Sequence, residues 1–190
     1  MHKDFPSKVQ NFIANSFSSS TIRNMVSKGG LESIQQFLKT GINLDDLCKK
    51  DASDYAAALN ELTEGLLRAL PEPDQKKWGL ARKSLNLFFR DALYNFYLRE
   101  TYDLKKFEAE LEIPLDSHVG KELKNLDPAL PVWTTVIGLT CDQSTKFQES
   151  ALKIANRQGI HRVHLDIYYW RGSKTHDTTY VDLATLKRIP

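Results

Sequence analysis

The chain has little of what identifies secreted, metal-bound or membrane proteins from sequence alone. Its 190 residues contain only two cysteines, Cys48 and Cys141, too few and too widely separated for a disulfide framework or a zinc site. It contains no apolar run near the roughly 20 residues that cross a bilayer, and the first residues lack the apolar core of a signal peptide. We therefore expect a cytoplasmic protein with no metal, no cofactor and no membrane partner.

A strong charge of one sign is also lacking. Lys+Arg 26 against Asp+Glu 24 leaves a formal net charge of +2 at pH 7, so any surface that attracts nucleic acid must be a local cluster. The apolar fraction of 41% is ordinary for a globular protein. The length suits one compact domain, residues 1–190, or two lobes, residues 1–70 and 71–190, that share a cleft.

Most of the chain has the apolar spacing of helices. Over residues 55–70 apolar side chains recur every three or four positions, and a second such run predicts a long helix from about residue 79 to near Thr101. Pro71 and Pro73 separate the two runs, because proline lacks the amide donor that a helix needs. Gly159 is expected to end a later helix. We predict a mostly α protein, with two helical lobes around a cleft.

Two segments are compatible with more than one structure. Residues 132–139 are apolar and rich in β-branched side chains, which fits a strand or a buried helix equally well. Residues 160–170 alternate like a strand at Val163, Leu165 and Ile167, but the same segment also has helical spacing. Because the rest of the chain is helical, we predict a helix there.

Two polar motifs flank the long predicted helix. Segment 79–86 (GLARKSLN) places Arg82 and Lys83 in its opening turns. Segment 114–119 (PLDSHV) places Asp116 at the start of another helix, where its oxygens can cap free backbone amides. A lysine and a carboxylate brought together from two helices could perform covalent chemistry at a sugar carbon.

These motifs, with Leu66–Pro71 before them, resemble the signature of the helix-hairpin-helix (HhH-GPD) DNA glycosylase superfamily. In that family a leucine-proline hairpin with glycines leads into an Arg/Lys-Lys-Thr/Ser-Ala-Asn helix start, and a Val-Asp-Thr-His-Val segment holds an essential aspartate. In this chain residues 72–78 interrupt the hairpin, and only Gly79 remains of its glycines. The separation between Lys83 and Asp116 is similar to that in the archaeal 8-oxoguanine glycosylase branch. The resemblance covers about residues 62–126 and does not include a four-cysteine iron–sulfur pattern.

The resemblance implies a helix-hairpin-helix-like motif and an enzyme that cleaves the N-glycosidic bond of a damaged or modified base, with an oxidised purine favoured. Asp116 would stabilise the positive charge that develops on the sugar. Lys83 would attack C1′ as a neutral amine and form a Schiff base, and strand cleavage by β-elimination could follow. We expect burial and the neighbouring Arg82 to lower the pKa of Lys83. The simpler interpretations are a solvated surface lysine and a helix cap.

Residues around the interrupted hairpin are candidates for DNA contact. Lys76, Lys77 and Arg82 carry positive charge there, and the backbone at Gly79 opens a helix whose free amides can bind phosphate. The alternative is a hydrated charged turn.

A flipped base would need a pocket with aromatic walls. Trp78, Trp133 and Trp170 are candidates, although burial in a core is a common fate of such residues. His161 and His164 have a spacing compatible with metal binding, but no third ligand is evident, so we predict no metal site.

The expected partner is double-stranded DNA with a damaged or modified base, bound by a monomer that is nucleoid-associated if the source is prokaryotic. Three other interpretations remain open. The chain could be a non-catalytic DNA-binding module that uses only the hairpin, a glycosylase that acts on modified bases of phage DNA, or a helical protein–protein adaptor.

Overall fold

The structure is a computed structural model that describes residues 4–22 and 24–172, the side chains of residues 170–172 excepted. Within these residues the chain forms α-helices and short 3-10 turns, with no strand, which confirms the predicted mostly α class. The α-helices are α1 (Phe5–Ser16), α2 (Gly30–Thr40), α3 (Leu44–Leu47), α4 (Tyr55–Ala69), α5 (Trp78–Tyr94), α6 (Phe96–Thr101), α7 (Ser117–Leu126), α8 (Cys141–Gln158) and α9 (Leu165–Gly172). The 3-10 turns are Ala52–Asp54, Glu72–Asp74, Leu104–Phe107 and Arg162–His164. None of the described helices is both long and apolar enough to cross a bilayer.

The single long helix predicted to run to Thr101 is wrong, because the chain breaks at Asn95. This residue has extended backbone angles, φ −81° and ψ 115°, and its side chain accepts a hydrogen bond from the amide of Leu98. An asparagine that caps a new helix in this way competes with continuation of the preceding one. Two helices, α5 and α6, therefore replace the predicted one.

The buried apolar residues form two clusters, and the chain passes from one to the other at Glu112. The first cluster collects residues between Ile13 and Leu111, together with Val163. The second collects residues between Ile113 and Tyr169. The boundary between the clusters lies near residue 112, and residue 70 belongs to the first cluster.

Residues 132–139 are neither a strand nor a helix. The segment has irregular backbone, and Val136 and Leu139 are buried in the second cluster. It packs directly on the start of α5, where a Cβ added at Gly79 would lie 2.2 Å from the Val136 carbonyl oxygen. The glycine therefore permits contact between α5 and this segment. Trp133, Val136 and Leu139 are buried without regular structure, whereas the apolar Val132 and Ile137 are exposed.

The C-terminal half of the described chain follows its predicted helices. Thr140 and Gln143 form a reciprocal capping box that begins α8, and Gly159, at φ 69°, ends it. Glycine suits that left-handed position because it has no Cβ. The helix predicted for residues 160–170 is confirmed only from Leu165 onward, because Arg162–His164 is a 3-10 turn.

Candidate active site

Lys83 and Asp116 line the same cavity, which has a volume of about 1050 Å³. Lys83 reaches it from α5 in the first cluster, and Asp116 reaches it from the start of α7 in the second. The loop between α1 and α2 and the helix α9 complete the walls. The amine and the carboxylate that the two motifs carry therefore face one cavity.

The Lys83 side chain is buried, with 8% of its surface exposed. Its Nζ donates a hydrogen bond to the backbone carbonyl of Thr21, at 3.0 Å. Burial lowers the pKa of Lys83, because a buried ammonium loses its hydration, and nearby Arg90 acts in the same direction. The charges of Asp116 and Asp166 oppose this shift without reversing it. The neutral amine is thus more accessible at Lys83 than at an exposed lysine.

Arg82, which we expected to be the cation beside Lys83, is directed elsewhere. The residue is buried, and its guanidinium donates to both carboxylate oxygens of Glu112, at 2.7 and 2.8 Å. Its remaining nitrogen donates to Asn60 and Thr63. The cation that acts on Lys83 is Arg90, about two turns further along α5.

Asp116 is the N-cap of α7 and keeps one oxygen for other contacts. Its Oδ1 accepts hydrogen bonds from the amides of His118 and Val119, at 2.8 and 2.9 Å. Over the described range, 4–22 and 24–172, no residue donates a hydrogen bond to Oδ2. The capping role predicted for this residue is confirmed, and it leaves an oxygen available beside the cavity.

A second carboxylate, Asp166 on α9, faces the cavity and forms an ion pair with Arg90. Arg90 also binds Asp91 through two nitrogens, at 2.7 and 2.9 Å. Burial raises the pKa of Asp166, with Asp116 adding to the shift, while Arg90 opposes it. Burial disfavours the charge of Arg90, but Asp91 and Asp166 outweigh that effect and raise its pKa. Sequence patterns did not identify this pair, since its members lie on α5 and α9.

Two further side chains shape the cavity wall. The Nε2 of His118 is hydrogen-bonded to the carbonyl of Tyr169, which ties α7 to α9. Tyr94 stacks on His164 with ring centroids 5.7 Å apart and planes 15° apart, and its hydroxyl lies 2.8 Å from Nδ1. Burial raises the pKa of Tyr94 to about 12, so the phenol stays protonated at neutral pH. Tyr94 is an aromatic wall that the sequence analysis did not select.

The tryptophans predicted to line a base pocket lie elsewhere or outside the described side chains. Trp78 is half-buried and packs against the first cluster, with the Arg82 guanidinium 5.4 Å from its ring centroid. Trp133 is buried in the second cluster, edge-on to Phe147. A Cβ at Gly120 would lie 2.2 Å from its ring. The side chain of Trp170 is outside the described residues.

The predicted DNA-contact residues at the hairpin occupy different environments. Lys76 is exposed. Lys77 is half-buried, where its Nζ donates to Asp74 at 2.7 Å and to the carbonyl of Met25 at 2.9 Å. Gly79 and Arg82 are buried. Lys76 is therefore the one of these four whose side chain is free to meet a phosphate without rearrangement.

The described residues contain no group of three or more His, Cys, Asp or Glu side chains that could hold a metal ion. His164, one of the two histidines considered for a metal, has both ring nitrogens hydrogen-bonded, Nδ1 to Tyr94 and Nε2 to Glu108.

Comparison with protein-family models, with curated proteins and with solved structures found no match to this chain.

Proposed function

We propose that the cavity is the active site of a DNA glycosylase that excises a damaged or modified base through a covalent intermediate on Lys83. The observation that carries the proposal is the convergence of a buried amine of lowered pKa and a helix-capping carboxylate on one open cavity. The resemblance of segments 79–86 and 114–119 to the HhH-GPD superfamily supports the same assignment. An oxidised purine remains the leading expectation for the substrate.

The chemistry uses each group in the state that its environment favours. The neutral Lys83 amine attacks C1′ of the deoxyribose as the bond from C1′ to the base breaks, and the base leaves with the bonding electrons. Asp116 stabilises the positive charge that develops on the sugar and then accepts a proton from the new ammonium. The sugar ring opens as the C1′–O4′ bond breaks and O4′ takes the proton held by Asp116, which gives the protonated imine. Loss of the C2′ proton to Asp116 and departure of the 3′-phosphate with the electrons of the C3′–O bond complete the β-elimination.

The cavity supplies conditions that this reaction needs. Lys83 requires burial to lose its proton near neutral pH, and the cavity still opens to solvent so that an extruded nucleotide can enter. Its volume of about 1050 Å³ is at the upper end of ordinary ligand pockets. Tyr94 offers an aromatic surface on which a base can stack.

Borohydride trapping tests the proposal. The protein is incubated with duplexes that contain 8-oxoguanine, uracil, alkylated bases, bulky modified cytosines or a preformed abasic site, and the imine is reduced. We expect a covalent protein–DNA adduct with the wild type and none with Lys83→Gln. Lys146→Gln, which changes an exposed lysine of α8, is the matched control and should trap as wild type.

Asp116→Asn distinguishes base release from DNA binding. It should slow base release by about 100-fold or more, because a charge that stabilises the transition state is lost, while DNA binding is retained. If base release without any adduct is found, the enzyme is monofunctional and Lys83 has another role. If the wild type releases no base from any of these duplexes and Asp116→Asn leaves its affinity for DNA unchanged, the glycosylase proposal is wrong and a DNA-binding module is favoured.

A further inference from the structure

The chain just before Asp116 is held unusually firmly for a segment without regular secondary structure. We call residues 110–116 the anchored segment. The guanidinium of Arg162 donates to the carbonyls of Glu110 and Leu111, at 2.7 and 3.0 Å. The side-chain amide of Gln148 binds both the amide and the carbonyl of Ile113, at 3.1 and 2.8 Å. Groups on α8 and the following 3-10 turn therefore hold its backbone on one side.

Glu112 holds the anchored segment on the other side, against α5. Both of its carboxylate oxygens accept from the Arg82 guanidinium, and Asn86 donates a further bond to Oε2, at 2.9 Å. The Arg82 and Glu112 side chains are 7% and 14% exposed. Burial opposes the charge of Glu112, but Arg82 and Asn86 outweigh it and lower its pKa. The contact is thus an ion pair of fixed geometry.

The pair connects the two halves of the candidate site by a short path. Arg82 precedes Lys83 on the rigid helix α5, and Glu112 lies at the boundary between the two hydrophobic clusters, four residues before Asp116. A planar guanidinium that binds a carboxylate through two bonds fixes both separation and orientation. A buried ion pair of this kind commonly adds little net stability compared with apolar residues, so orientation is its more distinctive effect.

We infer that Arg82 and Glu112 are a positioning pair that sets where Asp116 stands relative to Lys83. This inference rests on the proposed function, in which those two side chains act on one sugar. The pair itself touches no substrate. It acts by fixing the separation and the relative orientation of α5 and the anchored segment.

The test measures the electrostatic coupling between Lys83 and Asp116 without DNA, so its outcome is independent of glycosylase activity. The protein is labelled with ¹³C-lysine, the Cε signal of Lys83 is assigned from its loss in Lys83→Arg, and its pKa is obtained by NMR titration. Because Asp116 favours the ammonium, Asp116→Asn should lower that pKa in the wild-type background. In Arg82→Met/Glu112→Leu, the same substitution should have less than half that effect.

A variant that leaves a void in the hydrophobic core and keeps both members of the pair provides the control for general destabilisation. Leu44→Ala removes a buried side chain of the first cluster and should leave the full effect of Asp116→Asn. Should Arg82→Met/Glu112→Leu not fold, judged by circular dichroism, Arg82→Lys replaces it, because lysine keeps the charge and loses the two-bond fork. A full-sized effect of Asp116→Asn in the folded pair variant would overturn the inference, as would its absence in the wild type. If Arg82→Met/Glu112→Leu reduces the effect of Asp116→Asn on the pKa of Lys83 but the wild type releases no base, only the proposed function is contradicted.

Discussion

Two connections lead into the helices of the candidate site, and each contains a carboxylate that is paired with a cation and largely shielded from solvent. In the hairpin connection, residues 70–77, Asp74 is fully buried and binds Lys77 and both the amide and the hydroxyl of Ser27. In the anchored segment, Glu112 binds Arg82. The first carboxylate holds a neighbouring loop, whereas the second joins the helix of Lys83 to the segment of Asp116. An ion pair of similar chemistry therefore supports the cavity wall at Asp74 and connects the segments of the two candidate residues, Lys83 and Asp116, at Glu112.

The resemblance to HhH-GPD enzymes assigned DNA contact to the first connection. The structure shows that much of its polar chemistry is directed inward, because Lys77 binds the carbonyl of Met25 as well as Asp74. Met25 lines the cavity, and the same loop supplies the Thr21 carbonyl that accepts from Lys83. The hairpin connection thus supports the loop that closes one side of the candidate site.

The largest effect is expected when the carboxylate of the hairpin connection is neutralised. Asp74→Asn should lower the free energy of unfolding by about 3 kcal/mol, because it leaves a half-buried Lys77 without its counter-charge and weakens two contacts to Ser27. Urea unfolding at pH 7 measures the loss. Folded Asp74→Asn should still give the borohydride adduct, since the carboxylate touches neither Lys83 nor Asp116. Loss of the adduct in folded protein would instead show that the loop held by Asp74 and Lys77 is needed to position Lys83.

Acid should remove the difference in unfolding free energy between the wild type and Asp74→Asn. Burial opposes ionisation of Asp74, but Lys77 and Ser27 outweigh it and lower its pKa. A carboxyl group whose folded pKa lies below its unfolded value of about 3.9 stabilises the fold above that value, and the contribution is lost as the pH falls through the folded pKa. The gap in unfolding free energy between wild type and Asp74→Asn should therefore be full at pH 6 and shrink below about pH 4. Urea titrations across this range measure the gap, and a constant gap would contradict the assignment.

The smallest effect concerns direct DNA contact at the hairpin connection. Lys76→Ala removes one exposed charge and should reduce the slope of log affinity against log salt concentration by at most about 1, with little effect on folding. Fluorescence anisotropy with a labelled duplex at several salt concentrations measures the slope. The exposed Lys146→Ala on α8 is the matched control. Equal slopes for the two variants would exclude a specific contact by Lys76.

The local features of the site could be predicted from sequence, and its long-range partners could not. A proline followed by Asp116 and a helical pattern predicts a cap, and the structure places the cap there. Glu112 pairs with Arg82 and Asp166 pairs with Arg90, and no local spacing relates either carboxylate to its arginine. Pairing at that separation depends on how helices pack, and local propensities do not encode it.

The segment 132–139 illustrates a different limit. Its composition predicts burial, which is correct for Val136 and Leu139. Apolar and β-branched residues favour regular structure only when the backbone can complete a ladder or a helix. Here the segment instead packs against Gly79 and the second cluster. These tertiary contacts determine its backbone conformation.

The hydrogen bond from Lys83 to the Thr21 carbonyl has a stereochemical consequence. A neutral amine has two hydrogens and one lone pair, and the contact at 3.0 Å assigns one hydrogen to the carbonyl. The lone pair must then point away from that oxygen, because two electron-rich regions repel. If Lys83 is the nucleophile we propose, its lone pair would therefore have a preferred direction before any sugar arrives, and the loop between α1 and α2 would set that direction.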